Sequence, residues 1–522
     1  MSPFRTLAPL LALFPAVSVA RADALDDALR LLRAAPAAER GAAVAAVLAL
    51  EPTLDDVLAR LRKPPLPAPL EAGWHVRSAT DEHGVARPFQ LYVPASLATR
   101  ETPPPLLVYL HGGVSRPDFT VEEGEVGYGR LWLESARRGA FPVAFPMGRQ
   151  DCVWWRPEGA SHIRAVVRES KRLVPVDDDA VLASGFSDGG SGCFYLAMAE
   201  PEPFAAFLPM NGHPAVAASA SGAQLYLRNL ALRPLYATMT RDDALYPAAT
   251  ILEHLVPALH AGAPIRVASW EEGNHRPVYF EELRASFEAY VNGAARRAVP
   301  DAVQWRCASP STGAAAWVEV LEIGPAAGDA PDEPDLNVMS APGRVRLGVN
   351  VDRAFGGPGV RVSGVADGSP AAAMGVKEGD VITGIDGAPV AGMEDLVKAL
   401  GGKTHGDEVH VRVRREEETT LRGGFPEFRH EPYYRRASPT ARVSVRVEDG
   451  ALFLVTRNVR RLRLSLPPDL LPPGPLSIER NGKRLDAEAI DLSLEEILRS
   501  YGRDADSGRV FTRRLILDLP PG

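Results

Sequence analysis

The sequence predicts an α/β domain that is preceded by short helices and followed by a mainly-β region containing a second module. Two observations favour the α/β domain: apolar runs typical of buried strands, and a Gly-x-Ser-x-Gly pentapeptide at residues 185–189 where such a run meets a small-residue stretch. A third favours the β region: period-two alternation and hairpin turns beyond residue 440.

The N-terminus has the composition of a secretory signal peptide. Arg5 precedes an apolar run at residues 7–16, and small residues follow up to Ala24. We therefore expect residues 1–24 to be removed and the mature protein to be secreted or periplasmic, with no membrane span left after cleavage. An uncleaved anchor is the alternative, although the apolar run is shorter than the roughly 18 residues that span a bilayer.

Residues 25–69 carry apolar side chains at helical spacing and end in the Pro-rich connector 64–69. We predict short helices that pack on the next domain or on a partner. The segment shows no catalytic motif.

The predicted strand 106–110 ends in His111-Gly112-Gly113-Val114. Such a loop supplies one backbone N–H to an oxyanion hole, and we assign it to Gly113 or Val114. The second donor is the N–H of Asp188, directly after the pentapeptide serine. We expect His111 to order the loop, because it precedes the nucleophile in the chain.

Ser187 lies at a predicted strand-to-helix turn, where flanking glycines allow the sharp bend that exposes a nucleophile. A general base and its carboxylate should follow in the order Ser, Asp, His. Asp243 follows the apolar run 235–239 and is our candidate acid, with Asp242 as the alternative. His275 follows the last predicted strand and is our candidate base, whereas we expect His254 and His260 to decorate the surface of a helix.

Residues 74–292 resemble an α/β-hydrolase of the esterase and polyhydroxybutyrate-depolymerase-like kind, related to prolyl-oligopeptidase-type serine hydrolases. The resemblance rests on the entry strand 87–94, the His-Gly-Gly loop, the serine turn, and the acid and base loops. It implies fold and triad but not substrate. Trp154 and Trp155 fit either a pocket wall or the core.

Composition limits the remaining possibilities. The chain has 522 residues, 46% of them apolar, and a formal net charge of −8, which argues against a nucleic-acid partner. We find no zinc-type spacing, and no cofactor or metal is implied. The three cysteines exclude a disulfide framework, although a single bridge involving Cys152 is not excluded by count.

Residues 344–424 strongly resemble a bacterial PDZ domain, through Leu347-Gly348-Val349, the segment 359–365, and the long ordered run 368–387. The resemblance implies that Leu347, Gly348 and Val349 present N–H groups to a peptide C-terminus and that the helix at 393–400 forms the opposite wall of the groove. A groove closed by the rest of the protein is the alternative.

Strand patterns lie on both sides of this module, with hairpin signals at Asp449-Gly450 and Asn481-Gly482. We predict one β domain into which the PDZ module is inserted, with independent consecutive modules as the alternative. The predicted organisation is a signal peptide (1–24), helices and connector (25–69), a catalytic domain (70–298), first β strands and linker (299–343), the PDZ domain (344–424) and the remaining β strands (425–522).

The sequence thus predicts a secreted serine hydrolase that cleaves carboxylic esters with Ser187, Asp243 and His275. Its partners would be a small ester or peptide substrate and a peptide C-terminus at the PDZ groove. A serine peptidase and a non-catalytic PDZ-containing binding protein are the alternatives.

Overall fold

The computed structural model describes residues 14–68, 70–116, 122–340, 342, 345–352, 354–468, 470–471, 474–485 and 487–522, with only the backbone described for residues 14–23. The chain forms two compact units: residues up to Asn337 together with Tyr434–Gly522, and the inserted Val338–Tyr433. The first half of the predicted signal peptide, residues 1–13, lies outside the described residues.

A single eight-stranded sheet dominates the predicted catalytic domain. Its order is β1-β2-β4-β3-β5-β6-β7-β8; β1, β2 and β4 pair antiparallel, and all the other pairs are parallel. The strands are β1 (Gly73–Thr80), β2 (Ala86–Val93), β3 (Leu106–Leu110), β4 (Val143–Pro146), β5 (Val181–Phe186), β6 (Ala206–Met210), β7 (Leu235–Thr240) and β8 (Ile265–Trp270).

Helices flank this sheet and precede it. They are α1 (Phe14–Ala34), α2 (Arg40–Leu48), α3 (Leu54–Leu61), α4 (Trp132–Gly139), α5 (Pro157–Leu173), α6 (Asp188–Ala199), α7 (Pro214–Ala220), α8 (Ala248–His260) and α9 (Phe280–Gly293). The central strands β3 and β5 are buried at every residue, as expected for parallel strands covered on both faces. This topology, with the serine turn between β5 and α6, is the predicted α/β-hydrolase fold. The carboxyl ends of β5 to β8 meet at one sheet edge, where ligands bind in open α/β sheets.

Strands β9 (Ala302–Cys307), β10 (Ala314–Ala315) and β11 (Val318–Ile323) follow the eight-stranded sheet and its helices. Next comes the inserted unit, a sheet of order β12-β13-β14-β16-β17, with β15 pairing with β14. Its elements are β12 (Val349–Val351), β13 (Val360–Val365), α10 (Pro370–Met374), β14 (Val381–Ile385), β15 (Ala388–Pro389), α11 (Met393–Gly401), β16 (Glu408–Arg414) and β17 (Glu418–Gly424).

The remaining elements complete two five-stranded sheets, β22-β21-β19-β18-β9 and β10-β11-β20-β24-β23. Trp305 of β9 is paired with Val443 of β18, and Val318 of β11 with Leu464 of β20, so strands on either side of the inserted unit share both sheets. The elements are β18 (Ala441–Glu448), β19 (Ala451–Arg457), β20 (Val459–Leu466), β21 (Ser477–Arg480), β22 (Lys483–Leu485), β23 (Ile490–Asp491), α12 (Leu494–Asp504) and β24 (Arg513–Asp518).

One apolar core lies between these two sheets, formed by side chains such as Trp305, Val443, Val320 and Leu462. The helix α12 interrupts the β region and was not predicted. Its Leu498 and Tyr501 pack with Leu29, Leu32 and other residues of the N-terminal helices. The N-terminal helices are thus held by a helix from the far end of the chain.

None of the helices in the described part of the chain combines the length and the apolar character needed to cross a membrane.

Candidate active site

Ser187 occupies a strained turn between β5 and α6. Its φ of 59° and ψ of −118° lie outside the common regions for a residue with a Cβ, which is typical of an exposed nucleophile. Its N–H donates to Met210 O over 3.0 Å, which ties the turn to the end of β6. The strain is therefore held by the neighbouring strand.

Close backbone packing explains the glycines around this serine. A Cβ on Gly189 would lie 1.9 Å from Leu110 O, and one on Gly190 would lie 2.8 Å from Met210 O. A Cβ on Gly185 would meet the backbone of Gly189 at 2.5 Å. Only glycine lets the turn fit between the ends of β3 and β6.

Hydrogen bonds connect the three predicted catalytic side chains one after another. His275 Nδ1 is 2.7 Å from Asp243 Oδ2, and His275 Nε2 is 2.8 Å from Ser187 Oγ. Because an ionised carboxylate can only accept, Nδ1–H donates to Asp243, which leaves Nε2 free to accept the serine hydroxyl proton. This is the tautomer that a general base requires.

Asp243 is buried and held by several donors. The N–H groups of Leu245 and Tyr246 each donate to Oδ1 over 2.9 Å, and Asn211 Nδ2 donates to Oδ2 over 2.8 Å. Burial pushes the pKa of Asp243 upwards, but the hydrogen bonds from His275, Asn211 and Tyr246 outweigh it, so the pKa lies below its usual value. The carboxyl group is therefore ionised at neutral pH.

Asp242, the alternative acid, accepts hydrogen bonds from the backbone of the loop that carries His275. Its carboxylate accepts from Gly273 N–H over 3.1 Å and from Asn274 N–H over 2.7 Å. It closes the loop that carries His275 and makes no described contact with the His275 ring. The geometry separates the two neighbouring carboxylates into one that faces the base and one that shapes its loop.

Asn211 is a site residue that the sequence reasoning missed. It is buried at the end of β6, with φ of 42°, and its Oδ1 accepts from Tyr279 OH over 2.6 Å. Its Nδ2 also donates to Thr240 Oγ1 over 2.9 Å, and Thr240 in turn donates to Asn274 O. Asn211 thus donates to the same Asp243 oxygen, Oδ2, that accepts from His275 Nδ1. The sequence signal was a polar residue at the end of an apolar strand, next to the edge where the triad assembles.

The predicted oxyanion loop, residues 111–114, lies against Ser187. A Cβ on Gly112 would lie 3.1 Å from Ser187 Cβ, and Gly113 has φ of 70°. The N–H of Val114 donates to Asp188 Oδ2 over 3.0 Å. This corrects the prediction for Val114, because its N–H is already occupied by a carboxylate; the N–H groups of Gly113 and Asp188 are the remaining predicted donors.

His111 orders this loop. Gly148 N–H donates to its Nε2 over 3.0 Å, so its Nδ1–H donates to Gly112 O over 2.9 Å, and Trp154 Nε1–H donates to His111 O over 2.8 Å. Burial lowers the pKa of His111, which keeps the ring neutral. Trp154 and Trp155 are both buried, so they belong to the core and the loop support rather than to an open pocket.

Aromatic rings surround His275, the candidate base. Phe186 and Tyr246 lie with ring centroids 5.0 Å and 5.4 Å from His275, and Tyr128 packs edge-on to Phe186 at 4.7 Å. Tyr128 is 41% exposed. The guanidinium of Arg116 lies over Gly113, 3.3 Å from where its Cβ would be. The sequence reasoning singled out none of these rings, nor Arg116.

One histidine prediction was wrong. His254 is buried rather than on the surface of α8; its Nδ1 lies 2.8 Å from Tyr434 OH, and its ring packs edge-on to His213 at 5.2 Å. Burial lowers the pKa of His254 to about 3 and that of His213 to about 4. Both rings are therefore neutral parts of the core behind the acid loop.

In the inserted unit, the predicted peptide loop lies beside α10. Leu347 O accepts from Ala371 N–H over 2.8 Å, and Gly348, with φ of 81°, lies so close to Ser369 that a Cβ would be 2.3 Å from the serine Cβ. Val349 starts β12, which within the described part of this unit pairs only with β13.

Helix α11 exposes two apolar side chains one turn apart, Met393 at 47% and Val397 at 52%. An edge strand with a free side and an apolar helix face are the two walls that the PDZ resemblance implies.

All three cysteines are free and buried. Within the described ranges, no group of three or more His, Cys, Asp or Glu side chains is placed to hold a metal ion.

Comparison with known proteins supports the inserted module directly: residues 345–421 match the PDZ domain family. The search of curated proteins found no match. Among solved structures, the chain is similar to a thermostable esterase (19% identity, TM-score 0.36, covering 43% of this chain and 63% of that one). It is also similar to the acylaminoacyl peptidase of Pyrococcus horikoshii (13% identity, TM-score 0.36, covering 43% of this chain and 42% of that one). A third similar structure is a fluorophosphonate-binding serine hydrolase of Staphylococcus aureus (15% identity, TM-score 0.35, covering 42% of this chain and 99% of that one).

The matched part therefore spans less than two thirds of the first two proteins. These identities and TM-scores are low, so the function proposed below is inferred from the geometry of this chain.

Proposed function

We propose that this protein is a serine hydrolase that cleaves carboxylic esters through an acyl-enzyme, and that its PDZ domain binds the C-terminus of a peptide. The observation that carries the proposal is the continuous hydrogen-bonded line from Ser187 Oγ through His275 to the ionised Asp243.

In the first step, Ser187 Oγ attacks the ester carbonyl carbon while His275 Nε2 takes the hydroxyl proton. Asp243 stabilises the imidazolium that forms. The N–H groups of Gly113 and Asp188 hold the negative oxygen of the tetrahedral intermediate, because they lie on the two loops that meet at Ser187.

The intermediate then expels the alcohol, which receives its proton from His275. Water, deprotonated by the same Nε2, attacks the acyl-enzyme and releases the carboxylic acid. No part of this cycle uses a metal or a cofactor.

Ester turnover tests the hydrolase proposal. Full-length protein should hydrolyse p-nitrophenyl acetate, and Ser187→Ala should abolish turnover because it removes the hydroxyl on which the acyl-enzyme forms. Ser219→Ala, a serine on α7 outside this line, is the matched control and should retain activity. Equal turnover by wild type and Ser187→Ala would exclude the proposal.

Peptide binding tests the PDZ half. A peptide with a free C-terminus should bind with a Kd in the micromolar range, and its C-terminal amide should bind more weakly because the loop donors lose a charged acceptor. Val397→Glu places a negative charge on the exposed face of α11 and should weaken binding of the free acid. If both peptides bind equally well, the carboxylate is not recognised.

The same variant separates an esterase from a peptidase. For an esterase, Val397→Glu should leave p-nitrophenyl acetate turnover unchanged, and neither wild type nor the variant should cleave a polypeptide substrate. For a peptidase that recruits chain ends through the PDZ domain, Val397→Glu should raise the KM for a polypeptide substrate while the small ester is still turned over normally.

We further propose that residues 1–24 direct export and are removed, which places the mature enzyme outside the cytoplasm. N-terminal sequencing of protein from the native host tests this. A mature chain that still begins at Met1 would contradict it.

A further inference from the structure

The larger unit contains a cleft of about 520 Å³ that is separate from the triad. It lies where the start of α2, one face of α12 and the strands β11, β20 and β24 come together. Six arginines line it, contributed by the helices, the strands and the loop after α12: Arg40, Arg463, Arg499, Arg503, Arg509 and Arg514.

The charge of this lining is opposite to that of the whole chain. Only three carboxylates line the cleft, Glu319, Glu496 and Asp504, against the six arginines. The chain as a whole has 66 acidic and 58 basic side chains. The cleft thus concentrates positive charge on an otherwise acidic protein.

Carboxylates pair with five of the six arginines but neutralise the cleft only partly. Arg463 pairs with Glu319 and Arg503 with Asp504, each at 2.7 Å, and Arg499 pairs with Glu495 at 2.6 Å. Arg514 is 3.8 Å from Glu496, a loose pair. Arg509 is 3.3 Å from Glu202, but Glu202 also pairs with Arg233 and Arg296. One carboxylate therefore serves three cations.

Among the six arginines of the cleft, the positive charge of Arg40 is the least neutralised by carboxylates. Its described hydrogen bond is from Nε to Ala35 O over 3.4 Å, and no ion pair joins it to a carboxylate in the described part of the chain. Burial and the nearby cations Arg172, Arg168 and Arg503 lower its pKa to about 10, against the opposite effect of the Asp504 carboxylate. A partly buried cation among other cations is unfavourable unless an anion joins them.

Two further sets of donors lie at or beside Arg40. Among the described atoms, Arg172 Nε and Nη2 are buried without a hydrogen-bond partner. Helix α2 begins at Arg40, and its N-cap residue Glu39 makes no side-chain cap, so the N–H groups of the first turn are free of that partner. Gly41 lines the cleft, and nothing lies within 4 Å of where its Cβ would be. Space, free donors and positive charge therefore coincide at this helix start.

We propose that this arginine-lined cleft binds a small molecule with at least two anionic groups, either phosphates or carboxylates. Guanidinium groups pair with both through two parallel hydrogen bonds, and arginines on facing walls suit separate anionic groups of one molecule. The volume is that of a small-molecule site. Since α2, α12 and the sheet that contains β11, β20 and β24 all contribute, the ligand also stabilises the packing of these two helices against that sheet.

Isothermal titration of the full-length protein with sodium pyrophosphate and, separately, with citrate at fixed ionic strength tests the proposal. We expect at least one of them to bind with a Kd below about 1 mM, and Arg40→Gln to weaken it about tenfold or more, as the loss of a charge-assisted hydrogen bond requires. The control Arg138→Gln removes an exposed arginine of α4, outside the cleft, and should bind as wild type.

Pyrophosphate binding alone would identify a phosphate site, and citrate binding alone a polycarboxylate site. If Arg40→Gln does not fold, Arg514→Gln replaces it with the same expectation. The proposal is overturned if neither anion binds below about 1 mM, or if the cleft variant and Arg138→Gln bind equally.

Discussion

The most informative single substitution is Asn211→Ala. Asn211 donates to Asp243 Oδ2 over 2.8 Å, and after its removal that oxygen keeps only the bond from His275 among its described partners. A hydrogen bond to a charged group contributes about 1.5–3 kcal/mol. If that stabilisation acts fully when Asp243 faces the imidazolium, kcat/KM should fall about 10- to 150-fold.

The assay is kcat/KM on p-nitrophenyl acetate from pH 5 to 9, together with the melting temperature of each variant. Removing a donor raises the pKa of Asp243, so the activity loss should grow as the pH falls. Tyr279→Phe is the matched control: it removes the hydroxyl that donates to Asn211 Oδ1 over 2.6 Å but leaves the bond to Asp243. We expect that control to lose much less activity.

Two results would refute this reasoning. In the first, Asn211→Ala matches wild type at every pH, which would mean that the bond from Asn211 does not support the acid. In the second, Tyr279→Phe loses as much as Asn211→Ala, which would mean that the effect comes from general loosening of the buried network.

Three further outcomes are expected. Asp243→Asn should lower kcat on the order of 10⁴-fold, because it favours the wrong His tautomer, whereas Asp242→Asn should cost far less; the reverse order in steady-state kinetics would reassign the acid. Gly189→Ala should destabilise the fold by at least about 3 kcal/mol in denaturant titrations, since its Cβ would overlap Leu110 O, and an unchanged midpoint would contradict the packing account. The pKa of His254 is about 3 in the folded state and about 6.5 in the unfolded state. Between these two values the unfolded state binds a proton that the folded state does not, so the free energy of unfolding decreases as the pH is lowered. His254→Gln should therefore flatten the dependence of unfolding free energy on pH by about 1.4 kcal/mol per pH unit between pH 6 and 4.5, and a slope equal to that of wild type would count against this.

The serine turn could be predicted because its constraints are local. Gly185 and Gly189 are required by backbone atoms close to Ser187, and the apolar run before them makes the strand. The places of Asp243 and His275 followed from strand ends, since parallel strands bring their carboxyl ends to one edge. The PDZ domain could also be predicted from the sequence, because its characteristic glycines and apolar residues lie in one continuous segment of the chain.

Contacts between distant parts of the chain could not be predicted. Val114 N–H meets the carboxylate of Asp188, and His254 is covered by Tyr434; neither pairing has a signal in the local sequence. Asn211 carried a local signal, as a polar residue at the end of an apolar strand, but its partner Asp243 lies 32 residues further along the chain.

Helix α12 was overlooked although a signal existed. Ser493 and Glu496 form a capping box, and Ile497, Leu498 and Tyr501 follow at helical spacing. Because the surrounding segments alternate with period two, the whole region was predicted to be β structure.

The central claim is that Ser187 is an activated nucleophile, and labelling with a fluorophosphonate probe tests it most directly. Full-length protein should form one adduct, which peptide mass spectrometry locates on Ser187, and the folded Ser187→Ala variant should remain unlabelled. A folded wild-type protein that resists the probe, or one that carries the adduct on another residue, would contradict the account.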